Sequence, residues 1–406
     1  MRRTRQRRIA LLGYSLETME AANALGYESV SVVLPGFEEG LNKDGVETVT
    51  WDFNRRNEDS TQLYEQLKAK GVSLAIPLYE ETVEWAGALN SRFQDSPRLF
   101  NRTMLLRDKA MMKRKAQMSG IKVGVFEEVE SQEDLRRFLL RVNEALAHIE
   151  GEVLDPVHVK PLRAAGSVGH RMIRTEEDVL EVPTDSFPLL AESHLGGQEF
   201  SVEAFIHDGK VRFMNINEYI RLGQHQFSPC GADLEARRPQ IRAAIEKLIK
   251  AFDIRYGIIH PEYFVDGNDE LAFGEVANRV PGGHIFDLIE RAYGINPYQA
   301  VLLASDSTTT EEELAEFFPD EVTGRKGHSG NLLVSPRQGM VNDLALPPDL
   351  LDHPYFEKHT LVRPIQHKFI EQYGFGSHYG VVYFFGEDPA RLKETLQHFG
   401  GLDFYS

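Results

Sequence analysis

Residues 257–283, GIIHPEYFVDGNDELAFGEVANRVPGG, hold two strand-like runs around the turn signal Asp266-Gly267-Asn268-Asp269. A hairpin with its loop at 267–270 places Val265 opposite Ala272, Phe264 opposite Phe273 and Glu262 opposite Glu275. The last pair sets two carboxylates across the ladder, their backbones roughly 4.5–5.5 Å apart. Like charges so placed repel unless something compensates, and a divalent cation is one compensation. Magnesium prefers one or two carboxylates completed by phosphate oxygens and water. Pairing alone is equally compatible with a solvated face in a slipped register. Strand alternation puts Glu275, Ala277 and Arg279 on one side and Val276 and Asn278 on the other. Arg279 then either reaches the space beside the carboxylates, where a cation steadies moving phosphoryl charge, or pairs with Glu275 as a plain ion pair. Pro281-Gly282-Gly283 lets backbone approach a ligand before a helix over 285–293.

Two clusters lie upstream. Lys160-Pro161 ends a strand over 157–161, and the small residues Ala164 to Gly169 follow. A lysine and the N–H groups of such a loop can hold phosphate, although the glycines follow the lysine and do not form a Walker A loop. On its own the stretch also reads as a surface loop. The second cluster runs from Ala191 through Gly196-Gly197 into a strand, with Glu199, Ser201 and Glu203 on one face. Repeated carboxylates on a strand face predict solvent exposure.

The first hundred residues alternate strands (8–13, 28–34, 72–78) with helices (16–25, 61–70, 80–90), which predicts a parallel α/β sheet. Gly13 serves either a phosphate or simply a tight strand-to-helix turn. A long helix over 101–118 and another over 131–149 follow. Strands at 188–193, 198–206, 211–217, 257–265 and 270–277 then predict an α+β unit. They are interrupted by an amphipathic helix carrying Ile241, Ala244, Ile245, Leu248, Ile249 and Phe252 on one face. A Thr-capped helix starts within 306–320, and a last helix lies near 388–399.

The 406 residues exceed one ordinary core at roughly 100–200 residues per domain. Lys and Arg number 45 against 62 Asp and Glu, a net charge of −17 that disfavours nucleic acid and anionic lipid as partners. The single cysteine, Cys230, excludes an internal disulfide framework and fits a cytoplasmic location. Five arginines within residues 2–8 read as a solvated tail, since the apolar run after them is too short for a secretory signal. No stretch approaches the roughly 18 apolar residues of a membrane span.

The clusters and their order resemble the ATP-grasp superfamily, over roughly residues 8–310. The resemblance implies an N-terminal Rossmann-like (pre-ATP-grasp) domain at 1–105 and an ATP-grasp central region at 106–310. Its ATP lid would span about 120–195 and its metal and substrate part about 196–310. A C-terminal α+β cap would complete the chain at 311–406. Lys109 and Lys160 would hold phosphates, and Gly166, Ser167, Val168 and Gly169 would form the loop over them. Backbone groups of Glu192 and His194, in a hinge ending at Leu195, would read adenine, and Glu199 would bind ribose. Glu262 and Glu275 would hold two Mg²⁺ ions, with Mn²⁺ an acceptable substitute, and Arg279 would act on the substrate side. Many members read Glu-x-Asn-x-Arg; Ala277 stands in the Asn slot here, which leaves two carboxylates for the metals. The same departure and the long C-terminal extension resemble L-amino-acid ligases and related carboxylate–amine ligases more than D-alanine ligases.

That resemblance implies phosphorylation of a carboxylate by ATP, then attack of an amine on the acyl phosphate, with Arg279 and Lys160 catalytic. Glu218, Gly282, Gly283 and His284 are candidates for the small-molecule carboxylate and amine substrates. A homodimer is common among relatives. Biotin-carboxylase-like bicarbonate activation and an ATP-binding module without turnover stand as alternatives.

Overall fold

The computed structural model describes residues 7–43, 45–55, 59–144, 154–336, 343–363 and 378–406. Three sheets organise them. The first is parallel, with β1 (Arg8–Leu12), β2 (Glu28–Val33), β3 (Thr48–Thr50) and β4 (Val72–Pro77) in the order β3-β2-β1-β4. The central strand β1 is apolar on both faces, with Ile9 and Leu11 in one core cluster and Ala10 and Leu12 in another, because helices cover both sides. The expected helix over 16–25 is present, opened by Ser15 and closed by left-handed Gly26.

The second sheet is antiparallel: β5 (Phe126–Val129), β6 (Val157–Pro161), β7 (Arg171–Ile173) and β8 (Leu189–Ser193), ordered β5-β8-β6-β7. One face packs Val157, Val159, Leu189 and Ala191 onto Leu135, Phe138 and Leu139 of the Gln132–Val142 helix. The other face carries His158, Lys160 and Glu192, by the period-two rule.

The third sheet contains β9 (Gln198–His207), β10 (Lys210–Arg221), β11 (His225–Ser228), β12 (Tyr256–Val265), β13 (Leu271–Ala277), β14 (His328–Val334), β15 (Phe356–His359) and β16 (Gly380–Gly386). Its order is β13-β12-β9-β10-β11-β14-β16-β15, so among the described residues the strands beyond residue 311 join the large sheet. The core between this sheet and the Arg238–Phe252 and Lys109–Met118 helices holds Phe200, Val202, Ile216, Ile245, Leu248, Phe273 and Met112.

Several expectations differ in detail. The helix expected over 101–118 is two, Pro97–Leu105 and Lys109–Met118, because the Asp108 carboxylate accepts from the Met111 amide and restarts the chain as a new N-cap. The helix expected over 131–149 ends at Val142, and residues 145–149 lie outside those described. Arg7 and Arg8 are not a solvated tail. Arg7 pairs with buried Asp306 at 2.9 Å and bonds Ser73, and Arg8 opens β1 and binds the Lys70 carbonyl at 2.6 Å. Their partners are far along the chain, so composition near the N-terminus could not reveal them. Arg2, Arg3 and Arg5 lie outside the described residues. Cys230 is buried, and burial pushes its thiol up, away from nucleophilic use.

The β12–β13 hairpin confirms one pairing and corrects two. Glu262 is opposite Glu275, but Phe264 faces Ala272 and Val265 faces Leu271. A bulge between Glu262 and Tyr263 leaves Gly274 as the extra residue and absorbs the one-residue offset. A Cβ there would lie 3.0 Å from the Glu262 carbonyl and 3.2 Å from the Phe264 ring, so any side chain at the bulge would crowd both.

Candidate active site

A cavity of about 250 Å³ opens between the second and third sheets. Lys109, Lys160, Glu192, Glu199, Glu262 and Glu275 all line it, together with Ala164–Val168 and Ser193–Leu195. The elements that place them are short and rigid. Lys109 is the first residue after the Asp108 cap, and its amide donates to the Leu162 carbonyl, which fixes that helix end beside β6. Lys160 and Glu192 share a face of adjacent antiparallel strands, because His158 pairs with Glu192 and Lys160 with Leu190. Gly197 brings the second sheet against the third. With φ +103, its absent Cβ would stand 1.9 Å from the Val265 carbonyl oxygen, so only glycine permits this approach.

The charged groups form a chain. The Glu192 carboxylate sits between Lys113 on one oxygen and Lys160, 2.6 Å away, on the other. Lys160 also approaches Glu275 at 3.5 Å, and Lys109 donates to Glu275 at 2.6 Å. Burial by itself would raise Glu275, but Lys109 and Lys160 overrule it and hold this carboxyl well below the usual range. Burial likewise works against ionised Glu192, and Lys113 and Lys160 outweigh it, bringing the group to about 2. On Glu199 the pull of Lys160 is the weaker influence. Burial, reinforced by the Glu262 charge, pushes it up to about 8, so it is largely protonated at neutral pH.

Glu262 is held from behind. His260 Nε2 lies 3.6 Å from its carboxylate and His260 Nδ1 lies 3.0 Å from Glu203, while Tyr219 points its hydroxyl at Glu262 from 3.5 Å. Burial disfavours an imidazolium, yet Glu203 and Glu262 raise His260 to about 9. Glu203 was expected in solvent and is instead fully buried, accepting from Asn215 at 2.6 Å and from Ser201 at 3.0 Å. Ser201 shares its strand, but Asn215 and His260 come from the neighbouring strands β10 and β12, which alternation along one strand cannot report.

Two facing carboxylates of hard oxygen donors suit Mg²⁺, which completes its shell with phosphate and water. Among the described residues no group of three or more His, Cys, Asp or Glu is arranged to hold a metal.

Other expected site residues lie elsewhere. β13 ends at Ala277, so alternation does not reach Arg279, which bonds Glu80 at 2.6 Å and the Val280 carbonyl at 2.8 Å and does not pair with Glu275. Asn278 ties its side chain to the Ile258 carbonyl at 2.7 Å. Glu218 is buried, accepts from the Gly231 amide at 2.9 Å and pairs with Lys393 at 2.7 Å, anchoring the Pro389–Gly400 helix rather than facing the cavity. The Gly283 carbonyl accepts from Gln226 and Asn331. His284 bonds Asp287 at 3.0 Å and His378 at 3.2 Å, and exposed Gly282 precedes them. None of these three lines the cavity. Gly169 packs on Pro161 just outside it. The His194 amide donates to the Pro156 carbonyl at 3.2 Å, and Glu192 lies mid-ladder between β5 and β6.

The sequence reading also missed the cavity residues His158, His170 and Lys113, and the ring contacts of His194. His158, His170 and His194 meet at 2.9 and 3.0 Å with their rings stacked; burial, then its two neighbours, lowers His158 to about 4. These three come from separate strands and loops, and no spacing signals them. Lys113 did leave a signal: it falls one turn after Lys109, in phase with buried Met112 and Ala116.

No family model matches the chain. The L-arginine-specific L-amino acid ligase of Bacillus subtilis is 26% identical over 256 residues, 59% of this chain and 59% of that protein. The D-alanine–D-alanine ligase of Treponema denticola is 26% identical over 195 residues, 42% of this chain and 52% of that protein. The chain thus spans less than two thirds of either relative's length. Among solved structures, an L-amino acid ligase from Bacillus licheniformis superposes with a TM-score of 0.74 at 16% identity, covering 98% of both chains. The ADP complex of N5-carboxyaminoimidazole synthetase from Staphylococcus aureus gives 0.67 at 16% identity, again over 98% of both.

Proposed function

We propose that this chain, which has the ATP-grasp fold, is an ATP-dependent ligase that joins the carboxylate of an amino acid to an amine, releasing ADP and phosphate. The observation that carries this reading is the single cavity where Lys109, Lys160, Glu199, Glu262 and Glu275 converge beside the 164–168 loop. The relatives that are amino acid ligases support amino acid substrates.

In this reading Lys109 and Lys160 exchange their carboxylate partners for the nucleotide's phosphates, and Glu275 is released to hold Mg²⁺ together with Glu262. When bound, that ion neutralises phosphate charge and polarises the phosphoryl group in transfer. The 164–168 loop covers the phosphates and keeps water from an acyl phosphate, whose hydrolysis would waste it. Protonated Glu199 can donate a hydrogen bond to a ribose oxygen. Arg279, fixed by Glu80, presents its charge from the N-terminal side, where ligands gather at the carboxyl ends of parallel strands. The amine attacks as a free nucleophile, so no activated Ser or Cys is needed. The reading places the protein in the cytoplasm, where ATP is supplied, and admits a homodimer. No described helix is long and apolar enough to cross a membrane.

The test is release of ADP and orthophosphate with Mg²⁺ and ATP across pairs of amino acids, with the product identified by mass. Release that requires two amino acids supports the ligase. AMP and pyrophosphate would sink the acyl-phosphate route, dependence on bicarbonate would move the protein to the carboxylation alternative, and tight ATP binding without turnover would make it a binding module.

A further inference from the structure

Lys113 is the one cation in the charge chain without a role in the reaction above. Its residue is 1% exposed, and its ammonium group is fixed on three sides. It pairs with one Glu192 oxygen, donates to the Phe273 carbonyl at 3.3 Å and lies over the Phe273 ring at 5.8 Å. Lys160, on the other Glu192 oxygen, has a side chain 23% exposed and turned to the cavity. One carboxylate therefore carries two ammonium groups, of which only one has room to leave.

We infer that Lys113 is the permanent counter-ion of Glu192, and that it frees Lys160 to move from Glu192 to a nucleotide phosphate. The inference rests on the nucleotide reading of the cavity. Glu192 is 6% exposed, and a carboxylate so buried cannot lose its last cation without a large desolvation cost. If Lys160 were its sole partner, each phosphate contact made by Lys160 would strand that charge. With Lys113 fixed in place, Lys160 exchanges one anion for another and Glu192 stays neutralised. Lys113 is thus a positioning residue, acting on phosphate through Glu192 and Lys160.

The experiment titrates ADP and adenosine separately into the wild-type chain, Lys113→Met, Lys113→Arg and Lys113→Met/Glu192→Gln, with folding followed by circular dichroism. Lys113→Met should bind ADP at least tenfold more weakly while adenosine affinity stays within about twofold, because only the phosphate contact needs Lys160. Lys113→Arg should keep wild-type ADP affinity. The double variant, which removes the buried charge along with its counter-ion, should recover most of it, and it carries the test if the single Met variant fails to fold. Unchanged ADP affinity in Lys113→Met, equal losses for ADP and adenosine, or a double variant no better than the single one would each overturn the inference. A wild-type chain that binds no ADP would remove the nucleotide reading itself and the inference with it. Wild-type binding alongside an unaffected Lys113→Met removes the inference alone.

Discussion

Glu275→Gln keeps the side chain's size and removes its charge, and it should move three measurements differently. In the ligand-free protein the Glu275 carboxylate accepts from Lys109 at 2.6 Å and lies 3.5 Å from Lys160. Removing one partner of a fully buried ion pair costs about 3–5 kcal/mol. The Glu275 side chain is 28% exposed, so Lys109 can recover some hydration and the expected loss of stability is on the order of 1–3 kcal/mol. Metal-free ADP should bind at least as tightly as to the wild type, because both lysines lose a competing anion. Turnover with Mg²⁺ should collapse. A unit charge 4 Å from another at an effective dielectric of about 20 is worth about 4 kcal/mol, or about three powers of ten in rate. The assays are urea unfolding, ADP titration in EDTA, and phosphate release with Mg²⁺. Turnover within tenfold of wild type at ordinary Mg²⁺ would refute the metal assignment. A weakened metal-free ADP complex would refute the competition between Glu275 and phosphate.

Glu199 ionises at about 8 in the folded chain against 4.5 for the unperturbed group. Between those values the native state holds a proton that the unfolded state has lost. Stability from this group is therefore full below about pH 4.5 and is lost as pH rises through about 8, a fall on the order of 3 kcal/mol between about pH 5 and 8 that Glu199→Gln should abolish in urea melts. Gly274→Val should cost about 1–3 kcal/mol and misplace Glu275, since the bulge has no room for a side chain; Mg²⁺-dependent turnover should fall more than stability does. Arg7→Ala should destabilise the chain by about 1–3 kcal/mol by stripping an arginine from buried Asp306, where a solvated tail would have given no change in chemical denaturation.

The legible part of the site was the part written along single strands. Glu262 and Glu275 flank one turn, so their opposition followed from a two-residue period, and it survived an error in loop length because Gly274 restored the register. Lys109, Lys160 and Glu199 were found through the order of their segments and do share one cavity. Arg279 was misplaced because the strand stops two residues before it, and stops of that kind depend on what covers the edge. On β13 that edge is capped by the Lys122 carbonyl, which accepts from the Phe273 amide, and by the Met112 sulfur at the Val276 amide.

The sequence by itself determined the parallel N-terminal sheet, the strands flanking the site and the facing carboxylates, since all follow from local period, turn residues and caps. The tertiary structure alone decided which charges are paired and which are buried. Glu203 became a core acid under Asn215 and His260, Glu192 acquired two lysines, Arg7 left solvent for Asp306, and Glu218 became an anchor for the last helix. The reason is physical: pairing energies depend on distance and local dielectric, and both are fixed by segments that meet only when the sheets close on one another.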